Sequence, residues 1–275
     1  MEASEQPRQK YLFLDHFSLK IIALVLMTLD HVAFFFLTRE TLPYEIMRGF
    51  GRLAFPLFAF LAIEGVFKSH NALLYGAKLL VLGLLIDLVL FLSVKTYPGN
   101  AMVELGLGIL AFALLEKKNW LSLLSPLPMA VMVLSDFTFF PIRMEYGTFG
   151  LLILAGFYLA KKFTEVYFRS LSKRIGVPPE ACYAVNGRLV RNLYSIFALF
   201  LVDLLMLLFY LYYPTCFLFA NLSLPFALEQ YSALAGVFIY FYSGRQGYHN
   251  KYVNWGLYAY YPLHFLILYL LFNLI

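Results

Sequence analysis

Long apolar runs recur along this chain from Phe17 to Phe272, each of about the 20 residues that a helix needs to cross a hydrocarbon layer about 30 Å thick. Nothing else in the sequence narrows the possible folds as much. In lipid, backbone N–H and C=O groups find no water, so only helices and closed barrels keep them paired. These runs are too long and too unbroken for barrel strands. The composition agrees. With 62% hydrophobic and 13% charged residues and a mean hydropathy of +0.75, the chain lacks the polar surface to cover so large an apolar core in water. The expected fold is all-α, a polytopic membrane helix bundle.

About nine spans are predicted, over residues 17–37, 46–67, 73–94, 100–115, 121–140, 147–163, 190–213, 222–242 and 253–272. Pro214, Asn221 and Pro225 interrupt the apolar stretch 214–228, which suits a broken or re-entrant segment. Orientation follows from the Lys and Arg residues. With the N-terminus inside, the inner segments collect Arg8, Lys10, Lys20, Lys68, Lys78, Lys117, Lys118, the cluster from Lys161 to Arg191, Arg245 and Lys251. The outer segments keep Arg39, Lys95 and Arg143. That asymmetry predicts an N-terminus inside and a C-terminus outside, with an odd number of spans.

Residues 1–16 are polar and charged, and no small-residue cleavage site follows a short apolar core, so the first span is expected to stay in the mature protein. Cys182 falls on the inner side and Cys216 on the outer, so neither a disulfide nor a cysteine-based metal framework is expected. No internal repeat is visible. The simplest organisation is a single membrane domain over 1–275 with a basic cytoplasmic loop at about 164–189. Its basic excess serves topology and attraction to anionic inner-leaflet lipid, or else a cytoplasmic phosphate-bearing ligand. Nucleic acid is not among the expected partners.

Ionisable side chains at membrane depth are costly and mark functional sites by default. Asp30 and His31 sit about two-thirds of the way along the first span, with roughly 16 Å of helix rise between Lys20 and His31. Asp87, Glu104, Asp203 and the pair Arg48 and Arg52 fall in the same outer layer. They are expected to line a shared cavity or to form interhelical ion pairs. Arg48 and Arg52, four apart, share a helix face, and Asp30, Asp87, Glu104 and Asp203 are their candidate counter-charges. Asp30 projects about 100° from His31 and should seek another helix. Lys20, Met27 and His31 form a stripe, a groove suited to a long, extended ligand. His264, in the last span, is either a hydrogen-bonded structural residue or a second functional group. No metal site is expected, because no ligand set with zinc-like spacing is present.

Three motifs carry a resemblance. Leu19–Asn71, with LKIIALVLMTLDH, then RGFGRLAFPLFAF from Arg48 and Glu64-Gly65, resembles the N-terminal signature of the TraX family, whose founding member is a conjugative-pilin N-acetylase. Glu145-Tyr146-Gly147 with Gly150 is similar to the family's Asp-Tyr-Gly segment. Tyr242-Ser243-Gly244-Arg245-Gln246-Gly247 and Tyr260-Tyr261-Pro262-Leu263-His264 form the third match. The departures are Glu145 for Asp and Ser243 for Asn, and residues 162–189 do not align.

The resemblance implies a multi-pass enzyme of the bacterial cytoplasmic membrane that moves an acetyl group from cytoplasmic acetyl-CoA to an amine or hydroxyl near the outer side. The acceptor would be a peptide N-terminus, a pilin or a glycan. On that reading His31 acts as general base or transient acetyl carrier, Arg52 with Arg48 stabilises the oxyanion, Asp30 supports them, and His264 is a second acid/base or acceptor-binding group. Lys20, Arg48, Arg245 and Lys251 are the candidate contacts for acetyl-CoA. A proton-coupled transporter or flippase is the alternative, since it too would place His, Asp and Arg in a membrane cavity. A non-enzymatic assembly scaffold is the third.

Overall fold

The computed structural model describes residues 11–39, 41–94, 99–137, 144–212 and 230–274. The elements are α1 (His16–Phe36), α2 (Leu42–Gly51), α3 (Ala54–Lys68), α4 (Ala72–Val94), α5 (Ala101–Leu115), α6 (Pro126–Leu134), α7 (Gly147–Ile175), α8 (Pro179–Tyr212), α9 (Gly236–Tyr240) and α10 (Lys251–Leu274), with 3-10 turns at Trp120–Leu124 and Gln230–Ala235. Among the described residues there is no β-strand, only one isolated bridge between Leu14 and Tyr242. Among the described residues, five segments are long and apolar enough to cross a membrane: α1, α2 with α3, α4, α8 and α10. Shorter apolar helices lie at Ala101–Leu115, Trp120–Leu134 and Tyr231–Tyr240. The protein is thus an all-helical membrane protein. The interrupted stretch 214–228 lies outside the described residues, as do Cys216 and residues 222–229 of the eighth predicted span.

The sequence departs from the expected spans where prolines and polar caps act. The second predicted span is two helices, because the chain turns at Arg52 and Leu53 before Pro56 opens α3. The fifth becomes a 3-10 turn and the short α6, started by Pro126 and Pro128. The basic connection at 164–189 is helical nearly throughout. Its turn is confined to residues 176–178, where Gly176 adopts φ +69° and Pro178 and Pro179 follow. At 34 residues, α8 is roughly 51 Å long, more than the hydrocarbon requires, so its polar first turns extend beyond it.

The chain divides into two compact units. The first takes the chain up to Leu57, Gly156–Leu201 and the chain from Tyr231; the second takes Phe58–Ala155 and Val202–Gln230. In the second, α4 lies against α5 along its length. Glycine permits this approach: a Cβ on Gly106 would sit 2.6 Å from the Leu80 backbone nitrogen, and one on Gly83 would sit 2.8 Å from that of Val103. Asn100 caps α5 by accepting the N–H groups of Met102 (2.9 Å) and Val103 (3.2 Å). Its amide donates to the Gly83 carbonyl (2.9 Å) and to Asp87 (2.8 Å), so Asp87 has its partner inside this unit. Glu104, 0% exposed, accepts the N–H groups of Tyr146 and Gly147 at the start of α7, and Asp136 accepts that of Thr148 at 2.9 Å. These carboxylates serve N–H groups that α7 leaves unpaired at its first turn.

In the first unit the segment before α1 interlocks with the strap before α10. Leu14 N–H donates to Phe241 O (3.0 Å), Ser243 N–H to Leu14 O (2.7 Å) and His16 N–H to Arg245 O (2.8 Å). Asp15 then starts α1 by accepting the Ser18 N–H at 2.8 Å. From this shared end α1 and α10 run parallel. Phe17 meets Tyr248, Lys20 faces Tyr258, His31 meets His264 and Phe36 meets Phe272. Most of α10 is exposed, and His264 is its one buried residue among those described.

Candidate functional site

Two clusters on α1 meet different partners because neighbouring helix positions point about 100° apart. Asp30 turns toward α2. Arg48 Nη1 donates to Asp30 Oδ2, and Arg52 Nη2 lies 3.1 Å from both carboxylate oxygens. All three are buried, at 5%, 5% and 2% exposure for Asp30, Arg48 and Arg52. Phe34 and Tyr44 present ring faces to the Arg48 guanidinium at 5.8 and 5.9 Å. Gly51 makes the approach possible, since a Cβ there would lie 2.2 Å from Asp30 Oδ1 and 2.3 Å from Asp30 Cβ. Asp30 thus holds the two buried guanidinium groups of Arg48 and Arg52 on one carboxylate.

His31 turns toward α10. Its Nδ1 is 2.8 Å from His264 Nε2, the rings 5.0 Å apart and inclined by 29°. His264 Nδ1 reaches the Tyr260 carbonyl one turn back at 2.9 Å, and the Tyr260 ring stacks on the imidazole at 5.2 Å and 8°. The Tyr260 hydroxyl is 2.7 Å from Thr28 Oγ1 on α1. Phe265 sets its edge on His31 at 5.5 Å and contacts Phe35, so aromatic side chains close the seam beyond the two histidines. Nε2 of His31 has no hydrogen-bond partner among the described residues. Arg48 and Arg52 lie within electrostatic reach of the His31 ring.

The structure therefore brings together His31, His264, Asp30, Arg48 and Arg52, the first two in one contact and the other three in another. Lys20 sits lower on the seam, its Nζ 5.8 Å from the centre of the Tyr258 ring. Arg245 belongs to the strap, with Nε 3.3 Å from Ser243 Oγ, and Lys251 is exposed at the first turn of α10. Arg48, grouped with these three on sequence grounds, is instead on α2 against Asp30. Asp87 and Glu104 are engaged by their own unit's backbone and amide groups. Sequence reading missed Thr28, Tyr258 and Tyr260. The available signal was helical spacing, because Thr28 precedes His31 by three positions and Tyr260 precedes His264 by four. It also missed Arg188, whose guanidinium lies on Gly244 and over the Tyr242 ring at 5.4 Å. Among the described residues no three His, Cys, Asp or Glu side chains converge as metal ligands would.

Comparison with known proteins bears on these residues directly. The family model for TraX protein matches residues 16–220, a stretch that holds Asp30, His31, Arg48 and Arg52 and stops short of Arg245, Lys251 and His264. A probable fimbrial assembly protein, FimC of serogroup H1 from Dichelobacter nodosus, is 31% identical over 165 residues, covering 53% of this chain and 64% of that protein. The chain thus spans less than two thirds of that relative's length. No solved structure matches the chain. With a matched stretch that runs from the first residue of α1 past the end of α8, the chain belongs to the TraX protein family.

Proposed function

We propose that this protein is an acetyl-CoA-dependent acetyltransferase of the bacterial cytoplasmic membrane, acting on an amine or hydroxyl near the outer side. The observation that carries the reading is the His31–His264 couple, a pair of imidazoles in hydrogen-bond contact inside an apolar seam, with one ring nitrogen uncommitted. Family membership supports the chemistry, and the fimbrial-assembly relative favours a pilin or peptide N-terminus as acceptor over a glycan.

In the transfer, the acceptor nitrogen or oxygen attacks the thioester carbonyl carbon while His31 takes its proton. The tetrahedral oxyanion is favoured by the buried guanidinium groups of Arg48 and Arg52. Collapse breaks the C–S bond, and the CoA thiolate recovers the proton from His31, so acetylated acceptor and CoA leave a restored imidazole. In the two-step form of the same reading, His31 carries the acetyl group between donor and acceptor. Lys20, Arg245 and Lys251, all toward the end where α1 and α10 begin, provide cationic contacts for the phosphates of CoA.

The topology that fits is nine spans with the N-terminus inside and the C-terminus outside. The parallel course of α1 and α10 supports an odd number of crossings, because two helices that start at one end of the unit finish at the other. Acetyl-CoA would then enter at the cytoplasmic end of the seam.

The test is a binding titration of purified, detergent-solubilised protein with acetyl-CoA and free CoA, comparing wild type with His31→Ala, followed by intact-mass analysis. Saturable binding by both, with hydrolysis or self-acetylation by wild type alone, is the expected result. A folded, monodisperse sample that binds neither ligand would defeat the reading and put proton-coupled transport in its place.

A further inference from the structure

The hydrogen bonds around the two histidines have directions that geometry alone decides, because both chains of contacts end on backbone carbonyls, which can only accept. Thr28 Oγ1 donates its single proton to the Leu24 carbonyl at 2.8 Å. The 2.7 Å contact between Thr28 and Tyr260 must therefore be donated by the tyrosine hydroxyl. That bond ties α10 to α1 and fixes the plane of the Tyr260 ring, on which His264 lies at an inclination of 8°. The second chain starts at the Tyr260 carbonyl. His264 Nδ1, 2.9 Å from it, must carry a proton, so the neutral ring has a bare Nε2. A bare Nε2 at 2.8 Å from His31 Nδ1 makes His31 the donor, and neutral His31 keeps its lone pair on Nε2. Pro262 lies between the two α10 residues and has no N–H for the Tyr258 carbonyl, so this turn of helix already lacks one backbone bond.

We propose that Tyr260 and Thr28 are positioning residues that hold the couple in a single arrangement, with both imidazoles protonated on Nδ1 and His31 Nε2 as the reacting nitrogen. His264 then acts as a neutral acceptor. When His31 takes a proton from the acceptor on Nε2, its Nδ1–H bond to His264 becomes charge-assisted and strengthens, as the new charge develops. Most imidazoles choose between tautomers freely in water. Here the choice is removed before any substrate arrives, much as an orienting group fixes the base in other nucleophile–base pairs.

The proposal rests on the acetyltransferase reading for its kinetic consequence only, and two measurements separate the two. The first is 15N NMR of histidine-labelled wild-type protein in detergent without substrate, at about pH 8, where an ordinary imidazole is neutral. Signals lost in His31→Gln and in His264→Gln identify the two rings. Both are expected in the Nδ1-protonated form, and an Nε2-protonated His31 would overturn the assignment. The second is acetyl transfer by Tyr260→Phe and Thr28→Val. Each keeps the packing and removes the hydroxyl, and kcat should fall about ten- to hundredfold while KM for acetyl-CoA is unchanged. Unchanged kcat in both variants would remove the positioning role. A wild type with the expected 15N pattern and no transfer would sink the enzyme reading and leave the hydrogen-bond assignment standing. Transfer without the pattern would do the reverse.

Discussion

Replacing Gly51 by alanine adds one methyl group at the tightest point between α1 and α2. The new Cβ would lie 2.3 Å from the Cβ of Asp30 and 2.2 Å from its Oδ1, where carbon atoms ordinarily rest about 3.5–4.0 Å apart. Asp30 Cβ is fixed to the α1 backbone, so a rotamer change cannot clear it, and the helices must separate by about 1 Å or more. Such overpacking costs about 1–3 kcal/mol by itself. The separation also pulls Asp30 from two arginines that cannot shed their protons, and breaking a buried ion pair costs about 3–5 kcal/mol. The loss expected for Gly51→Ala is therefore on the order of 3–5 kcal/mol, the two terms overlapping because both act through one displacement. Gly256→Ala is the matched control. Nothing lies within 4 Å of a Cβ there, past the first turn of α10, so the same methyl should stabilise by roughly 0.5–1 kcal/mol through helix propensity. Thermal and SDS-induced unfolding of both variants in one detergent tests the pair. If Gly51→Ala unfolds together with wild type, the Asp30 contact is not a structural constraint and the reasoning fails.

Asn100→Ala removes the cap of α5 and the amide that serves Asp87 and the Gly83 carbonyl, and should cost about 2–4 kcal/mol in the same unfolding assay; a loss under 1 kcal/mol would mean that water or a neighbour replaces the amide. For topology, a phosphatase fused after Ile275 should be active and a fluorescent protein at the same place dark, since the C-terminus is expected outside; the opposite pattern would contradict the odd number of spans.

Several features of the site were legible in the sequence because they depend on helix geometry alone. Asp30 and His31 are neighbours, so they had to face different helices, and Arg48 and Arg52 are four apart, so they had to share a face. Both follow from 3.6 residues per turn. The meeting of His31 with His264 was not legible, because 233 residues separate them and no local pattern encodes which helices become neighbours. Hydropathy also misplaced boundaries. The stretch from Thr164 to Leu189 looks like a loop because it is polar, yet Glu, Lys, Arg and Leu are good helix formers, and its breakers cluster at Gly176, Pro178 and Pro179, with Gly187 alone further on. Conversely, the span expected from Ile46 to Phe67 is apolar apart from Arg48, Arg52 and Glu64, and hydropathy is blind to the turn at Arg52 that separates α2 from α3. The carboxylates at Asp87 and Glu104 were read as part of a common charged layer; their use is to satisfy an amide and the first N–H groups of a helix, which a charge census cannot distinguish from a cavity.

The two partners of α1 differ in how long they take to be made. Asp30 waits for Arg48 and Arg52, which follow 18 and 22 residues later, whereas His31 waits 233 residues for His264. At synthesis rates of about 5–20 residues per second, the first interval is about one to four seconds and the second tens of seconds. An ionised carboxylate stranded in lipid is far more costly than a neutral imidazole. The order of synthesis thus neutralises the expensive group within one hairpin and leaves the cheaper one open until nearly the whole chain has been inserted. A ribosome stalled before α10 would leave a chain whose Asp30 is already paired and whose His31 still lacks His264.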